Sequence, residues 1–168
     1  MLYLIGFMGV GKSTIGKKLA LQKDVNFFDV DKEIELSEET SIVEIFKEKG
    51  EKYFREIESI IIRRIQSNSI VACGGGLPCY NDNIKYINEN GISIYLYADE
   101  NNILKRINKD ITNRPLINNI KKKDLNSYIR TKFRERSEIY KKANFTINTN
   151  NKSESEILTQ IHSLLNSI

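Results

Sequence analysis

"LIGFMGVGKST", Leu4–Thr14, is the stretch whose reading decides the fold. It satisfies G-x-x-x-x-G-K-[ST] with Gly6, Gly11, Lys12 and Ser13. Glycines at this spacing let backbone N–H groups turn inward around phosphate oxygens, and a helix starting at the loop adds its positive N-terminal end. The lysine then reaches the terminal phosphates, and the hydroxyl after it ligates Mg²⁺. The flanks fit the motif. The apolar run 1–5 reads as a strand, and "TIGKKLALQ" (14–22) reads as an amphipathic helix. A nucleotide is expected here; the acceptor of its phosphate has to be read elsewhere.

Outward from that stretch, strand-like and helix-like segments alternate. "VNFF" (25–28) is a short strand ending at Asp29, and helices are expected across 31–66, with "SIVE" (41–44) as a capping box. "SIVAC" (69–73) reads as a buried strand, followed by glycines and a helix near 81–90. "ISIYLYA" (92–98) is the clearest strand, with Asp99 placed to cap the next helix. A polar segment, 109–123, precedes a long helix over 124–142, then a strand "FTIN" (145–148) and a terminal helix opened by a second capping box. Strands alternating with helices imply an α/β fold, a parallel sheet covered on both faces.

With 168 residues, 40% hydrophobic and 29% charged, the composition is that of one globular domain. No apolar run approaches the roughly 20 residues that span a bilayer. The apolar N-terminus reads as a first strand rather than a leader, so a cytoplasmic location is expected. In that compartment Cys73 and Cys79 are expected to be structural thiols, and His162 a surface or packing residue. The net charge of +4 is unevenly spread: residues 103–142 carry 13 Lys/Arg against 4 Asp/Glu, while 1–102 carry 12 against 16. That segregation points to an anionic ligand against the basic part, although Lys121–Lys123 read better as a solvated helix face. No nucleic-acid module is recognisable.

Five further motifs carry chemistry. Asp29 and Asp31 in "FFDVDKEIE" lie two apart at a strand end, so in extended geometry both carboxylates face the same way. Beside a phosphate loop, one can serve Mg²⁺ while the other faces the acceptor hydroxyl; an N-cap explains one of them but not both. In "YFREIE", Phe54, Arg55 and Glu58 share a helical face, and Arg55 paired with Glu58 at a surface is the plain alternative. Gly74, Gly75 and Gly76 follow a buried strand directly, where ligands approach doubly wound sheets. Arg114 precedes Pro115 in the polar segment, and Arg136 stands one turn before Tyr140.

Taken together, G-x-x-x-x-G-K-[ST] at 6–13, D-x-D at 29–31, F-R-x-x-E at 54–58, G-G-G at 74–76, R-P-L at 114–116 and R-x-x-x-Y at 136–140 resemble shikimate kinase, a P-loop kinase family similar to nucleoside monophosphate kinases. The resemblance spans essentially the whole chain as a single domain, 1–168. It implies a three-layer fold: a five-stranded parallel sheet, order 2-3-1-4-5, helices on both faces and a mobile lid near 109–123. The implied reaction transfers the γ-phosphate of ATP to the 3-hydroxyl of shikimate. On that resemblance Gly9, Val10, Gly11, Lys12, Ser13 and Thr14 wrap the phosphates, with Asn150 and Asn151 on the adenine side. Asp31 orients or deprotonates the hydroxyl, and Lys12 and Arg114 meet the charge on the transferred group. Arg55, Glu58, Gly74, Gly75, Gly76 and Arg136 surround shikimate, the two arginines gripping its carboxylate, and Ser13 with Asp29 serves Mg²⁺. The implied enzyme is a monomer acting on shikimate and ATP, with neither nucleic acid nor membrane as partner.

Three departures stand out. Val30 replaces the Ser or Thr frequent between the aspartates, no acid ends the strand before Gly74, and Asn148 stands where an aspartate is common. Two rival readings remain: another small-molecule kinase of this fold, acting on gluconate or a nucleoside monophosphate, and a non-catalytic nucleotide-binding regulator.

Overall fold

A computed structural model describes residues 1–109 and 122–168. The chain runs β1 (Leu2–Ile5), α1 (Lys12–Lys23), β2 (Asn26–Asp29), α2 (Val30–Glu38), α3 (Ile42–Glu48), α4 (Gly50–Arg64) and β3 (Ser69–Ala72). A 3₁₀ turn at Leu77–Cys79 leads to α5 (Asn83–Asn90), β4 (Ile92–Tyr97) and α6 (Glu100–Lys109). Beyond the undescribed residues follow α7 (Lys122–Tyr140), β5 (Phe145–Asn148) and α8 (Glu154–Leu165). The strands form one five-stranded sheet in the order β2-β3-β1-β4-β5, parallel at all four pairings. This is the order that the resemblance implied.

Every residue of β1 and β3 is buried, so side chains on both faces of the sheet are covered, as parallel sheets require. On α1 the buried stripe is Ile15, Gly16, Leu19 and Ala20. Gly16 lets the helix lie close to the sheet, since a Cβ there would stand 2.5 Å from the Phe27 ring and 3.3 Å from Leu4 Cδ1. At the other end of the chain Ser153 and Glu156 close the reciprocal capping box expected of them. The box at Ser41 is only half formed. Ser41 accepts from the Glu44 amide, while the Glu44 carboxylate pairs with Lys47 at 3.5 Å.

The connections leaving β1 and β3 run in opposite directions along the sheet, which opens a crevice at the carboxyl ends of these two neighbouring strands. The register ties the loops at that crevice together. Cys73, just past β3, donates its amide to the Leu4 carbonyl at 3.0 Å.

Candidate active site

The 6–11 loop takes the backbone its glycines permit. Gly6, Gly9 and Gly11 have φ of 140°, 82° and 96°, and Gly11 is the N-cap of α1. Gly6 is also confined, because a Cβ would come within 2.7 Å of the Leu96 carbonyl oxygen. Val10 buries its side chain in the core. Lys12 Nζ lies across the loop, donating to the carbonyls of Gly6 (2.9 Å) and Phe7 (3.1 Å). With Met8, Gly9, Ser13, Thr14, Asp29, Asp31 and Gly75 it lines a cleft of about 470 Å³.

The extended geometry expected for 29–31 ends at Asp29. Val30 and Asp31 already belong to α2, because Val30 is fully buried and draws the chain into its first helical turn. Asp29 sits at the N-cap position with β-region φ and ψ, yet its side chain makes no cap hydrogen bond. Capping therefore accounts for neither carboxylate, and both reach the cleft by a route other than the one foreseen. Burial, reinforced by the neighbouring charge of Asp29, raises the Asp31 carboxyl to about 6, against the opposing pull of Lys12 and Arg55.

Arg55 and Glu58 are not a surface pair. Both are buried, and Arg55 Nη1 meets Glu58 Oε2 at 2.5 Å. The side-on edge of the same guanidinium, Nε and Nη2, is taken by Glu51 Oε1 at 3.2 and 3.0 Å from the first turn of α4. Glu51 was missed in the sequence although its i, i+4 spacing to Arg55 is legible. Burial lifts the Glu58 carboxyl to about 7, with Arg55 resisting and Asp31 adding to the rise. Glu58 Oε1 is buried without a hydrogen-bond partner among the described residues.

The three glycines after β3 serve space rather than conformation, since none has positive φ. A Cβ on Gly74 would overlap Glu58 Oε1 and stand 2.6 Å from Asp31 Oδ1, and one on Gly76 would overlap the Arg55 guanidinium. Gly75 faces open contact distances: 3.5 Å to the Met8 amide and 3.6 Å to Arg136 Nη1. The loop is thus the surface on which the carboxylates and the arginine lie.

Arg136 reaches the crevice from α7, its guanidinium 5.8 Å from the Phe7 ring, while Phe133 meets Phe7 edge-on at 5.7 Å. Its Nη1 is buried without a hydrogen-bond partner among the described residues. Arg55, Arg136, Glu51, Gly76 and Cys79 line a second recess of about 260 Å³ against the glycine loop. Tyr140 donates its hydroxyl to the Gly75 carbonyl.

On the far side, Asn150 Oδ1 accepts from the Asp99 amide (3.0 Å) and Asn102 Nδ2 (3.1 Å), so its side-chain oxygen is committed within the protein. Asn151 takes a left-handed turn conformation, φ 53°. Arg106, unforeseen from the sequence, joins this loop to the phosphate loop through Thr149 (2.8 Å to its carbonyl) and Val10 (3.5 Å to its carbonyl). Its partners lie far away in the chain, so no local pattern announces it. Arg114 and most of the 109–123 segment lie outside the described residues. Cys73 and Cys79 are free thiols, the first buried and the second exposed, and His162 bonds Gln22 at 2.7 Å on the α1–α8 surface. No helix among the described residues is long and apolar enough to cross a membrane.

The family model described as "Shikimate kinase" matches residues 8–166. A shikimate kinase of Bacillus mycoides is 40% identical over 166 residues, covering 98% of each chain. Among solved structures, shikimate kinase from Acinetobacter baumannii in complex with shikimate superposes with a TM-score of 0.90 at 31% identity, covering 99% of this chain and 92% of that one. The shikimate kinase of Bacteroides thetaiotaomicron also reaches 0.90, at 27% identity over 98% of this chain and 97% of that one.

Proposed function

The chain belongs to the shikimate kinase family, and from that premise we propose how its residues divide the work. It is an ATP-dependent kinase that phosphorylates a hydroxyl of shikimate. The observation that best supports the acceptor side is the pairing of Arg55 and Arg136 around one recess, next to a cleft that Asp31 shares with Lys12. Forked guanidiniums suit a carboxylate, and phosphoryl transfer needs mainly positioning and charge. With the carboxylate at the arginines, the 3-hydroxyl lies toward Asp31 and the Gly75 backbone. The hydroxyl oxygen attacks the γ-phosphorus, ADP leaves, and the hydroxyl proton passes to Asp31. A carboxyl raised to about 6 is ionised at neutral pH yet a better base than an ordinary aspartate. Glu58 fixes Arg55, and Gly74 and Gly76 leave room for the acidic and basic groups behind them.

Gly9, Val10, Gly11 and Thr14 offer backbone to the phosphates, with Lys12 swinging from the Gly6 and Phe7 carbonyls to the terminal ones, and Arg114 closing over the transferred group. The adenine lies toward Asn150 and Asn151, met there by backbone rather than by the Asn150 side-chain oxygen. Mg²⁺ fits the oxygen donors present, the Ser13 hydroxyl and the Asp29 carboxylate, completed by nucleotide oxygens and water. Among the described residues no three His, Cys, Asp or Glu gather into a metal cage. Bound there, the ion offsets phosphate charge. We further propose a monomer of one domain, working in the cytoplasm.

The test is release of ADP with and without shikimate, with shikimate 3-phosphate identified as the product. Asp31→Asn should retain ATP binding and lose about two or more orders of magnitude in kcat. A variant within fivefold of wild type would remove Asp31 from proton transfer.

A further inference from the structure

Asn83, the first residue of α5, lines neither the cleft nor the recess, yet it is a fully buried amide. Its Nδ2 donates to Ser59 Oγ at 2.8 Å and to the Leu77 carbonyl at 3.0 Å, and its Oδ1 accepts from Arg63 Nη1 at 3.0 Å. A carbonyl only accepts and a guanidinium only donates, so the amide can sit only one way round. Ser59 in turn donates to the Arg55 carbonyl at 3.0 Å, one helical turn back. What a fully satisfied amide adds over an apolar side chain of that size is a fixed spacing between the elements it joins.

Those elements carry groups assigned to the acceptor. Leu77 follows Gly76 directly, and its amide donates to the Gly74 carbonyl at 3.1 Å, so the tether reaches across the glycine loop. Across the gap, the Arg55 guanidinium stands where a Gly76 Cβ would be. Contact with that guanidinium keeps the loop from moving toward α4, and the Asn83 amide keeps it from moving away. We propose that Asn83 is a positioning residue for the acceptor, tethering the glycine loop to the turn of α4 that bears Arg55, so that the carboxylate grip and the loop stay at one spacing. The inference rests on the acceptor reading above.

Ser59→Ala removes one leg of the tether with little change of volume, and Asn83→Ala removes it altogether. The KM for shikimate should rise about three- to fivefold in the first and about tenfold or more in the second, with the KM for ATP within about twofold in both. The double variant should lose no more kcat/KM than Asn83→Ala alone, because both changes break one link. Asn144→Ala is the control, since that amide accepts from the Ser93 amide at 2.8 Å near the amino end of β4, away from the crevice. It should lower the thermal midpoint while leaving the KM for shikimate within about twofold. A shikimate KM unmoved by Ser59→Ala and Asn83→Ala, an equal rise in the ATP KM, or the same shikimate effect in Asn144→Ala would each reduce Asn83 to packing and overturn the proposal. Should Asn83→Ala not fold, Ser59→Ala set against Asn144→Ala decides the matter alone. Arg55→Lys keeps the two failures apart. If it raises the shikimate KM while the tether variants do not, this inference falls and the acceptor reading stands; if it leaves that KM unchanged, the acceptor reading falls.

Discussion

Gly74 and Gly75 are neighbours with opposite tolerances. At Gly74 an added methyl would meet two carboxylates at once, and neither can retreat without leaving Arg55 or the cleft. Gly74→Ala should therefore cost about 1–3 kcal/mol in urea unfolding, the usual scale of overpacking, and most of the activity as well. At Gly75 the same methyl would make only ordinary contacts, 3.5–3.7 Å, but it would stand between the phosphate loop and Arg136. Gly75→Ala should unfold like wild type and raise the KM for shikimate about tenfold or more. Equal stability losses in the two variants would contradict this reading. The sequence showed three glycines together but not why, because the partners of Gly74 and Gly76 arrive from α2 and α4, and those of Gly75 from the phosphate loop and α7. Asp31 illustrates the same limit: its place in the cleft beside Asp29 was legible from their spacing, while its helical backbone was hidden because the buried Val30 decided it.

Elements were more legible than contacts. Periodicity located every strand within a residue or so, and capping chemistry located the starts of α6 and α8, whereas the 3₁₀ turn at Leu77–Cys79, built around Pro78, read simply as loop. Asp99 shows what a cap adds beyond its helix. It accepts the Asn102 amide at 2.8 Å, and its own amide donates to Asn150, so the start of α6 and the loop after β5 share one hydrogen-bonded cluster. Asp99→Ala should lose about 1–2 kcal/mol and, with the nucleotide on that side, raise the KM for ATP while leaving that for shikimate in place. Ser153→Ala, which breaks a capping box of similar worth on α8, is the control. It should match the stability loss and leave both KM values alone, whereas a kinetic effect there would uncouple the Asp99 result from the nucleotide loop.

For the molecule as a whole, Asp31 and Glu58 make folding run against ionisation. Both carboxyls are raised by burial, to about 6 and about 7, so the folded chain binds their protons more tightly than the unfolded one. The stability they contribute is complete below the ordinary carboxylate range and is lost as pH climbs through 6 and 7. Without nucleotide or metal, the unfolding midpoint should be higher at pH 5 than at pH 8, and Glu58→Gln should flatten that slope. A midpoint that rises from pH 5 to 8 would show that the two groups are ionised at little cost. Activity should move the other way, growing as Asp31 deprotonates, so the protein is most active where its site is least comfortable. The hydrogen bond from Cys73 to Leu4 has a separate consequence. Since the phosphate loop and the glycine loop leave adjacent strands of one ladder, the gap between them is built into the sheet, and among the described residues the side chains proposed for the acceptor come from α2, α4 and α7. Descendants of this chain could take up new acceptors by exchanging residues on those three helices, with the transfer distance inherited unchanged.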